Sequence, residues 1–292
     1  MIEIRPARPG EETRQKELWK LSFGDDDAYI DYFYTHRPAG VETLVLLEDG
    51  ALETMVALFP VTLSLPDGAQ ASSAYIYALA THPGARKKGF GRFILNYVDF
   101  YLWEKKLDCV TIVPAEASLH RFFAAAGFSE CFATRKVELL QYMARRNCAG
   151  DTLAPADPET YNRVRERLLE GTFRVSYADG AIGYQEGLSR MANSGLYLLN
   201  VNGTQGCAAA EYLNEDSVLV KELIIPAPAM AGAAALLARE LPAVRYHLRT
   251  PPFWDGLPGS YLQAFGMVKW YNPELEAAWR NERKGYMGLG FD

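Results

Sequence analysis

Apolar residues along this chain fall into two rhythms: a three-and-four spacing that marks helices, and alternating or continuous runs that mark strands. Residues 2–5 read as a short strand, and residues 11–22 place Leu18, Trp19 and Leu21 on a helical period that Phe23-Gly24 ends. Asp25, Asp26 and Asp27 open a second helix carrying Tyr29, Ile30, Tyr32, Phe33 and Tyr34, because carboxylates are favoured in a first helical turn. Residues 43–47 and 54–65 read as strands, with a turn at Glu48-Asp49-Gly50 between them. A further turn at Pro66-Asp67-Gly68 leads into a strand at 72–80. From 91 to 107 the stripe Ile94, Leu95, Val98, Tyr101, Leu102 predicts a helix. A strand at 109–113 ends at Pro114, and a short helix at 118–126 with Leu119, Phe122 and Phe123 on one side stops at Gly127-Phe128. A strand at 136–142 closes this series.

The polar stretch 145–159, with Pro155 and Pro158, is the expected linker. Beyond it the order repeats weakly. Helices are expected at 161–170 and 180–191, and strands at 195–201 and 205–213 around Asn202-Gly203, a strong hairpin signal. A strand at 217–225, an alanine-rich helix at 229–241 and strands at 244–249 and 266–271 follow. The chain therefore reads as two domains, residues 1–145 and 146–292, each with its own core.

Composition narrows the function. With 49% hydrophobic and 23% charged residues among 292, both halves can bury a core. A net charge of -6 without a basic domain argues against nucleic acid and against an anionic membrane surface as partners. No apolar run has the length of a signal or a membrane span, so a cytoplasmic protein is expected. Cys109, Cys131, Cys148 and Cys207 are scattered without ligand spacing, so no metal site is expected.

One stretch departs from this acidic background. The strand ending in Tyr75-Ile76-Tyr77-Ala78-Leu79-Ala80 runs through Pro83-Gly84 into Arg86-Lys87-Lys88-Gly89-Phe90-Gly91-Arg92 and then into a helix. A strand, a glycine loop and a helix start in succession aim main-chain N–H groups and the positive helix end at one spot, which suits a phosphate or pyrophosphate. The glycines let the backbone approach the anion, and Arg86, Lys87, Lys88 and Arg92 surround it with cations. The loop lacks Gly-Lys-Ser/Thr, which sets aside a nucleotide phosphotransferase.

On these residues, the first half resembles the GCN5-related N-acetyltransferase (GNAT) superfamily. Its loop Arg/Gln-x-x-Gly-x-Gly/Ala after the fourth strand is met by Arg86-Lys87-Lys88-Gly89-Phe90-Gly91, and the later strand, helix and Gly127-Phe128 follow in order. The resemblance implies an α/β (α+β) fold: two GNAT-like domains, each a mixed, mostly antiparallel sheet flanked by helices. It implies acetyl-CoA as co-substrate, held by Ala78, Leu79 and Ala80 along the pantetheine, by Arg86 to Arg92 around the diphosphate, and by Phe123. Direct attack by an amine, of a small molecule or a peptide, would transfer the acetyl group in a ternary complex, with N–H groups near Leu79 and Ala80 facing the oxyanion.

One departure matters. Family members often carry a Tyr acid four residues before the Gly of Gly-Phe, and here that residue is Phe123. Tyr75, Tyr77, Glu116 and His120 are the candidate catalytic replacements. Asp25, Asp26, Asp27 and Asp31 lie where relatives build the acceptor wall, with a helix cap as the plainer role. In the second half, residues 218–225 resemble the fourth strand, yet Pro226-Ala227-Pro228-Ala229 follows with neither glycines nor arginine. Two prolines remove N–H donors where a diphosphate needs them, so this domain is expected to bind no coenzyme A. The tail 285–292 is expected to be a disordered end, with entry of its carboxylate into the active site as the other reading. A non-catalytic acyl-CoA sensor is the alternative function, and the expected state is monomer or homodimer.

Overall fold

The computed structural model describes residues 1–144, 150–280 and 284–291. Thirteen strands appear among them: β1 Ile2–Pro6, β2 Glu42–Glu48, β3 Ala51–Ser64, β4 Gln70–Thr81, β5 Cys109–Ile112, β6 Ser129–Leu140, β7 Thr152–Pro155, β8 Arg174–Ser176, β9 Gly195–Val201, β10 Thr204–Asn214, β11 Ser217–Ile224, β12 Arg245–Thr250 and β13 Tyr261–Trp270. The helices are α1 Glu12–Phe23, α2 Asp27–His36, α3 Phe90–Glu104, α4 Ala117–Ala125, α5 Pro158–Leu168, α6 Asp179–Met191, α7 Met230–Glu240 and α8 Pro273–Arg280. The mixed, mostly antiparallel sheets flanked by helices are those the sequence predicts.

Two compact units emerge. Among the described residues, the first comprises 1–63, 70–130 and 266–280; the second comprises 64–69, 131–144, 150–265 and 284–291. They do not divide at residue 145: residues 131–144 pack with the second unit, and 266–280 return to the first. The return is driven by pairing and burial, because Met267 and Val268 are nearly inaccessible and the strand pairs antiparallel with β5, Met267 opposite Ile112. Within the first unit the strand order is β1-β2-β3-β4-β5 followed by residues 266–270, antiparallel except for β4 and β5. Its core joins Leu44, Val56, Ile76, Ile94, Val98, Ile112 and Phe123. Lys269 ties α3 to the end of α4, donating to Asp99 at 2.5 Å and to the Ala126 carbonyl at 2.8 Å.

The second unit repeats the plan: β6-β12-β11-β10-β9-β7, with β11 parallel to β12 and antiparallel pairs elsewhere. The expected linker is partly a strand: residues 145–149 lie outside the described residues, but Thr152–Pro155 forms β7 against β9, and Asp157 caps α5 by accepting from Thr160 N at 2.8 Å. α8, unforeseen, begins at Pro273 with Asn272 Oδ1 accepting from Glu274 N at 3.1 Å.

Residues 285–291 overturn the expectation of a disordered end. Tyr286, Met287, Leu289 and Phe291 are at most 1% exposed. Gly285 pairs with Phe132 and Tyr286 with Arg174, the Tyr177 hydroxyl donates to the Met287 carbonyl at 3.0 Å, and Phe291 lies edge-on to Tyr177 and Tyr184. Gly288, at φ +72°, lies so close to Glu222 that a Cβ would stand 2.0 Å from Oε2. The terminal carboxylate of Asp292 lies outside the described residues.

Under this tail sits a fully buried ion pair, Arg165 Nε donating to Glu222 Oε1 at 2.9 Å. The Tyr161 hydroxyl donates to the same oxygen at 2.8 Å, and Arg165 also donates to Glu166 at 2.7 Å. Burial raises the Glu166 carboxyl's proton affinity, but Arg165, Ser176 and Arg174 outweigh it and hold its pKa below the ordinary range. Arg165→Met leaves Glu222 buried and uncompensated, at an expected loss of about 3–5 kcal/mol in urea unfolding. Arg165→Met combined with Glu222→Leu should lose less than the single variant; simple additivity would contradict the pairing. Because the folded pKa of Glu166 is depressed, its contribution is present above the unfolded carboxylate pKa and is lost as pH falls through the folded value. Glu166→Gln should therefore flatten the acid limb of the stability–pH curve.

Candidate active site

The site in the first unit begins with an interruption of β4. The strand is buried from Ser73 to Ile76, then Tyr77, Ala78 and Leu79 become half-exposed, and burial returns at Ala80. Ala78 adopts φ +49°, a left-handed conformation that costs a non-glycine residue roughly 1 kcal/mol. Pairing with β5 runs from Ser73 opposite Cys109 to Ile76 opposite Ile112; β5 ends there while β4 continues to Thr81. The two parallel strands thus part where the backbone of β4 is kinked. Such an edge can pair with an extended amide-bearing chain as an added strand.

The loop follows directly. Pro83–Ala85 forms a single tight turn closed by Ala85 N donating to the His82 carbonyl at 2.8 Å. Lys87 at φ +67° and Gly89 at φ +85° bend the chain into α3, whose N-cap is Gly89. The Gly89 carbonyl accepts from Arg92 N and Phe93 N, both at 3.0 Å, so the N–H groups of Phe90 and Gly91 remain at the helix start for an anion. A Cβ on Gly91 would meet the Phe122 ring at 3.4 Å. Around this turn Lys88 donates to Glu48 at 2.7 Å, which raises the lysine's pKa. Arg86 reaches the Thr81 carbonyl at 3.4 Å and Arg92 the Ala125 carbonyl at 3.3 Å.

The candidate catalytic residues separate into two groups. Tyr75 and Tyr77 share one face of β4 with ring centroids 6.0 Å apart; the Tyr75 ring is buried, and the Tyr77 ring is held by Trp19 at 5.5 Å and Phe59 at 5.3 Å. The Tyr77 hydroxyl lies 2.8 Å from that of Tyr29 on α2. Glu116 and His120 belong to α4 instead. Glu116 precedes the helix and accepts from the Ser118 hydroxyl at 3.1 Å, and His120 Nδ1 is 2.5 Å from Glu130. Phe123 is a core residue, 3% exposed and edge-on to Phe122 and Phe128.

The acid run acts locally. Asp25 accepts from the Trp19 indole at 2.7 Å, Asp26 caps α2, Asp27 pairs with Lys20 and Asp31 with Lys16. Sequence reasoning missed Tyr29 as part of the site, for its only mark was a place on the helical stripe. It also passed over Glu53, whose Oε2 is buried without a hydrogen bond, 3.5 Å from His82 Nδ1 at the head of the loop. Burial pushes the Cys109 thiol up to about 12, so it supplies no thiolate near neutral pH. Among the described residues no cluster of three metal-ligating side chains occurs, and no helix is long and apolar enough to cross a membrane. Cys109 and Cys207 should resist iodoacetamide at pH 8 while the chain is folded and react on unfolding; rapid labelling of the folded protein would contradict this burial.

Comparison with known proteins agrees with this geometry. Residues 3–128 match the family model of the acetyltransferase (GNAT) domain. No protein of curated function matches the chain in sequence. Solved structures share the fold over nearly the whole chain. A conserved protein of unknown function from Enterococcus faecalis superposes with a TM-score of 0.72 at 14% identity, covering 93% of this chain and 73% of its own. A GCN5-related N-acetyltransferase from Kribbella flavida gives 0.68 at 14% identity, covering 94% and 72%. A tandem GNAT protein of the clavulanic acid biosynthesis pathway gives 0.57 at 14% identity, covering 92% and 98%. Residues 3–128 thus match the GNAT acetyltransferase domain in sequence, and the chain shares its fold with a tandem GNAT protein.

Proposed function

We propose that the first unit transfers an acetyl group from acetyl-CoA to a primary amine by direct attack. The observation that carries this reading is the adjacency of the kinked β4 edge at Ala78 to the turn closed by Gly89. The peptide groups of residues 77–80 would bind the pantetheine amides, and the amides of Phe90 and Gly91, with Arg86, Lys87 and Arg92 around them, the diphosphate. The Leu79 and Ala80 N–H groups would stabilise the oxyanion.

Phe123 has no proton for the departing sulfur. Coenzyme A leaves as a tolerably stable thiolate, and Tyr77, paired with Tyr29, is the nearest hydroxyl to the kink in sequence. Glu116 and His120 are weaker candidates, because each is already engaged on α4. The second unit is proposed to bind no coenzyme A. Between β11 and α7 it has five residues, 225–229, where the first unit has eight, 82–89, and no residue there has the positive φ of Gly89.

Calorimetry with acetyl-CoA should show one site per chain. Gly89→Glu should weaken binding at least tenfold, since it strains a positive φ and puts a carboxylate where the diphosphate goes. Two sites would overturn the reading of the second unit. Thiol release in the presence of a panel of primary amines tests the chemistry: no turnover above thioester hydrolysis for any amine would remove the transferase reading. If the missing acid limits the reaction, Phe123→Tyr should raise kcat with little change in the KM for acetyl-CoA.

A further inference from the structure

The helix that opens at the glycine turn is apolar on two opposite sides. One side packs in the core: Phe90, Ile94, Leu95, Val98 and Leu102 are each at most 3% exposed. The other carries Phe93, Phe100 and Trp103, which are 41%, 52% and 66% exposed. With Asn96 they fall at spacings of three, four and three, which is one continuous seam along a helix. A helix with apolar residues on both sides is ordinarily covered on both. Taking about 200 Å² for each aromatic side chain, their exposed fractions leave roughly 300 Å² of exposed ring surface along the seam. That is the size of the largest patches on monomers, which are often functional. It is also enough to form the apolar centre of a standard interface, which buries about 800 Å² per partner.

We infer that this seam is the contact of a homodimer in which α3 packs antiparallel against α3 of a second copy. The seam is self-complementary: twofold pairing about its middle sets Phe93 of one copy near Trp103 of the other, leaving one polar residue, Asn96, along the line. Charge selects the direction. Arg86, Lys87, Lys88 and Arg92 crowd the start of α3, and a parallel pair would bring both clusters together. Antiparallel packing separates them by the helix length, about 22 Å for fifteen residues, well beyond the ~8 Å screening length at physiological salt. It also brings Glu104 of each copy to the level of Arg92 of the other. The inferred contact does not rest on acetyl transfer: Phe93 and Arg92 border the glycine loop, but Phe100 and Trp103, the residues varied below, lie two to four turns beyond it.

Sedimentation velocity on the full chain between 1 and 100 µM tests this. Wild type should sediment at twice the chain mass, and Phe100→Glu combined with Trp103→Glu should sediment as a monomer with an unchanged melting curve, because neither ring belongs to the core. Mixing Arg92→Cys chains with Glu104→Cys chains should give a crosslink under mild oxidation that neither chain gives alone. A monomeric wild type at 100 µM, or a dimer that survives the double variant, overturns the proposal; a crosslink formed only by like chains overturns the antiparallel direction.

Discussion

The left-handed turn of Ala78 near the end of β4 is the constraint on which the chemistry proposed for the first unit rests. A regular β4 would continue its ladder to β5 and bury every peptide group. The pairing ends at Ile76 opposite Ile112, two residues before the alanine at φ +49°, and β4 runs on past the end of β5. That conformation is unfavourable for alanine, so it persists only because the surroundings over-determine it. Aromatic rings do so on one side: Tyr77, the residue before the kink, is wedged among Trp19, Phe33, Phe59 and Tyr75. Thr81, beyond it, is pinned through its hydroxyl to Thr54 at 3.1 Å.

The second unit interrupts the equivalent strand, β11, in a different way, with no positive-φ residue in it. The register of β10 on β11 slips between Ala209 and Ala210, skipping Lys221 and leaving a bulge at the corresponding place in the strand. Here, however, the side chains at the bulge are charged and fully enclosed. Glu222 accepts from Arg165 and Tyr161, and Lys221 faces Glu211 at 3.4 Å. The glycine-containing tail lies against Glu222. Once a buried carboxylate is matched by a guanidinium and covered by backbone, displacing either would leave an unpaired charge at low dielectric. The proposal that this unit binds no coenzyme A draws on this enclosure as well as on the shortened turn between its fourth strand and its helix.

Most of this architecture was legible in the chain. The loop, α3 and the strands around it carry period, turn and glycine signals that local physics reads directly. Three features were not legible. The return of residues 266–280 to the first unit depends on which sheet edge is unpaired, and no local pattern records that. β7 was hidden because Thr152–Pro155 is a mostly exposed edge strand with a proline, indistinguishable from linker by composition. The buried tail was misread because Gly285, Gly288 and Gly290 resemble a mobile end. Two of these glycines instead mark close approach, Gly285 against Phe173 and Gly288 against Glu222. At the site, the glycine loop was visible in sequence while the Tyr29–Tyr77 pair was not, because it joins residues 48 apart that only α2's packing brings together.

The same reasoning separates the roles of the aromatic residues. Phe123 stands where the family resemblance leads one to expect a tyrosine, yet its ring meets Phe122 and Phe128 edge-on and is almost wholly buried. A hydroxyl added there must either reach the opening by β4 or remain an unsatisfied buried group, which costs 1–3 kcal/mol by general experience, so roughly that much. Phenylalanine at this place thus favours the core over the chemistry. On the proposed reading, the sulfur's proton would then come from solvent or from the Tyr29–Tyr77 side of the strand. The proposed chemistry would rest on main-chain geometry, which a substitution on α4 leaves intact, more than on any one titrating side chain.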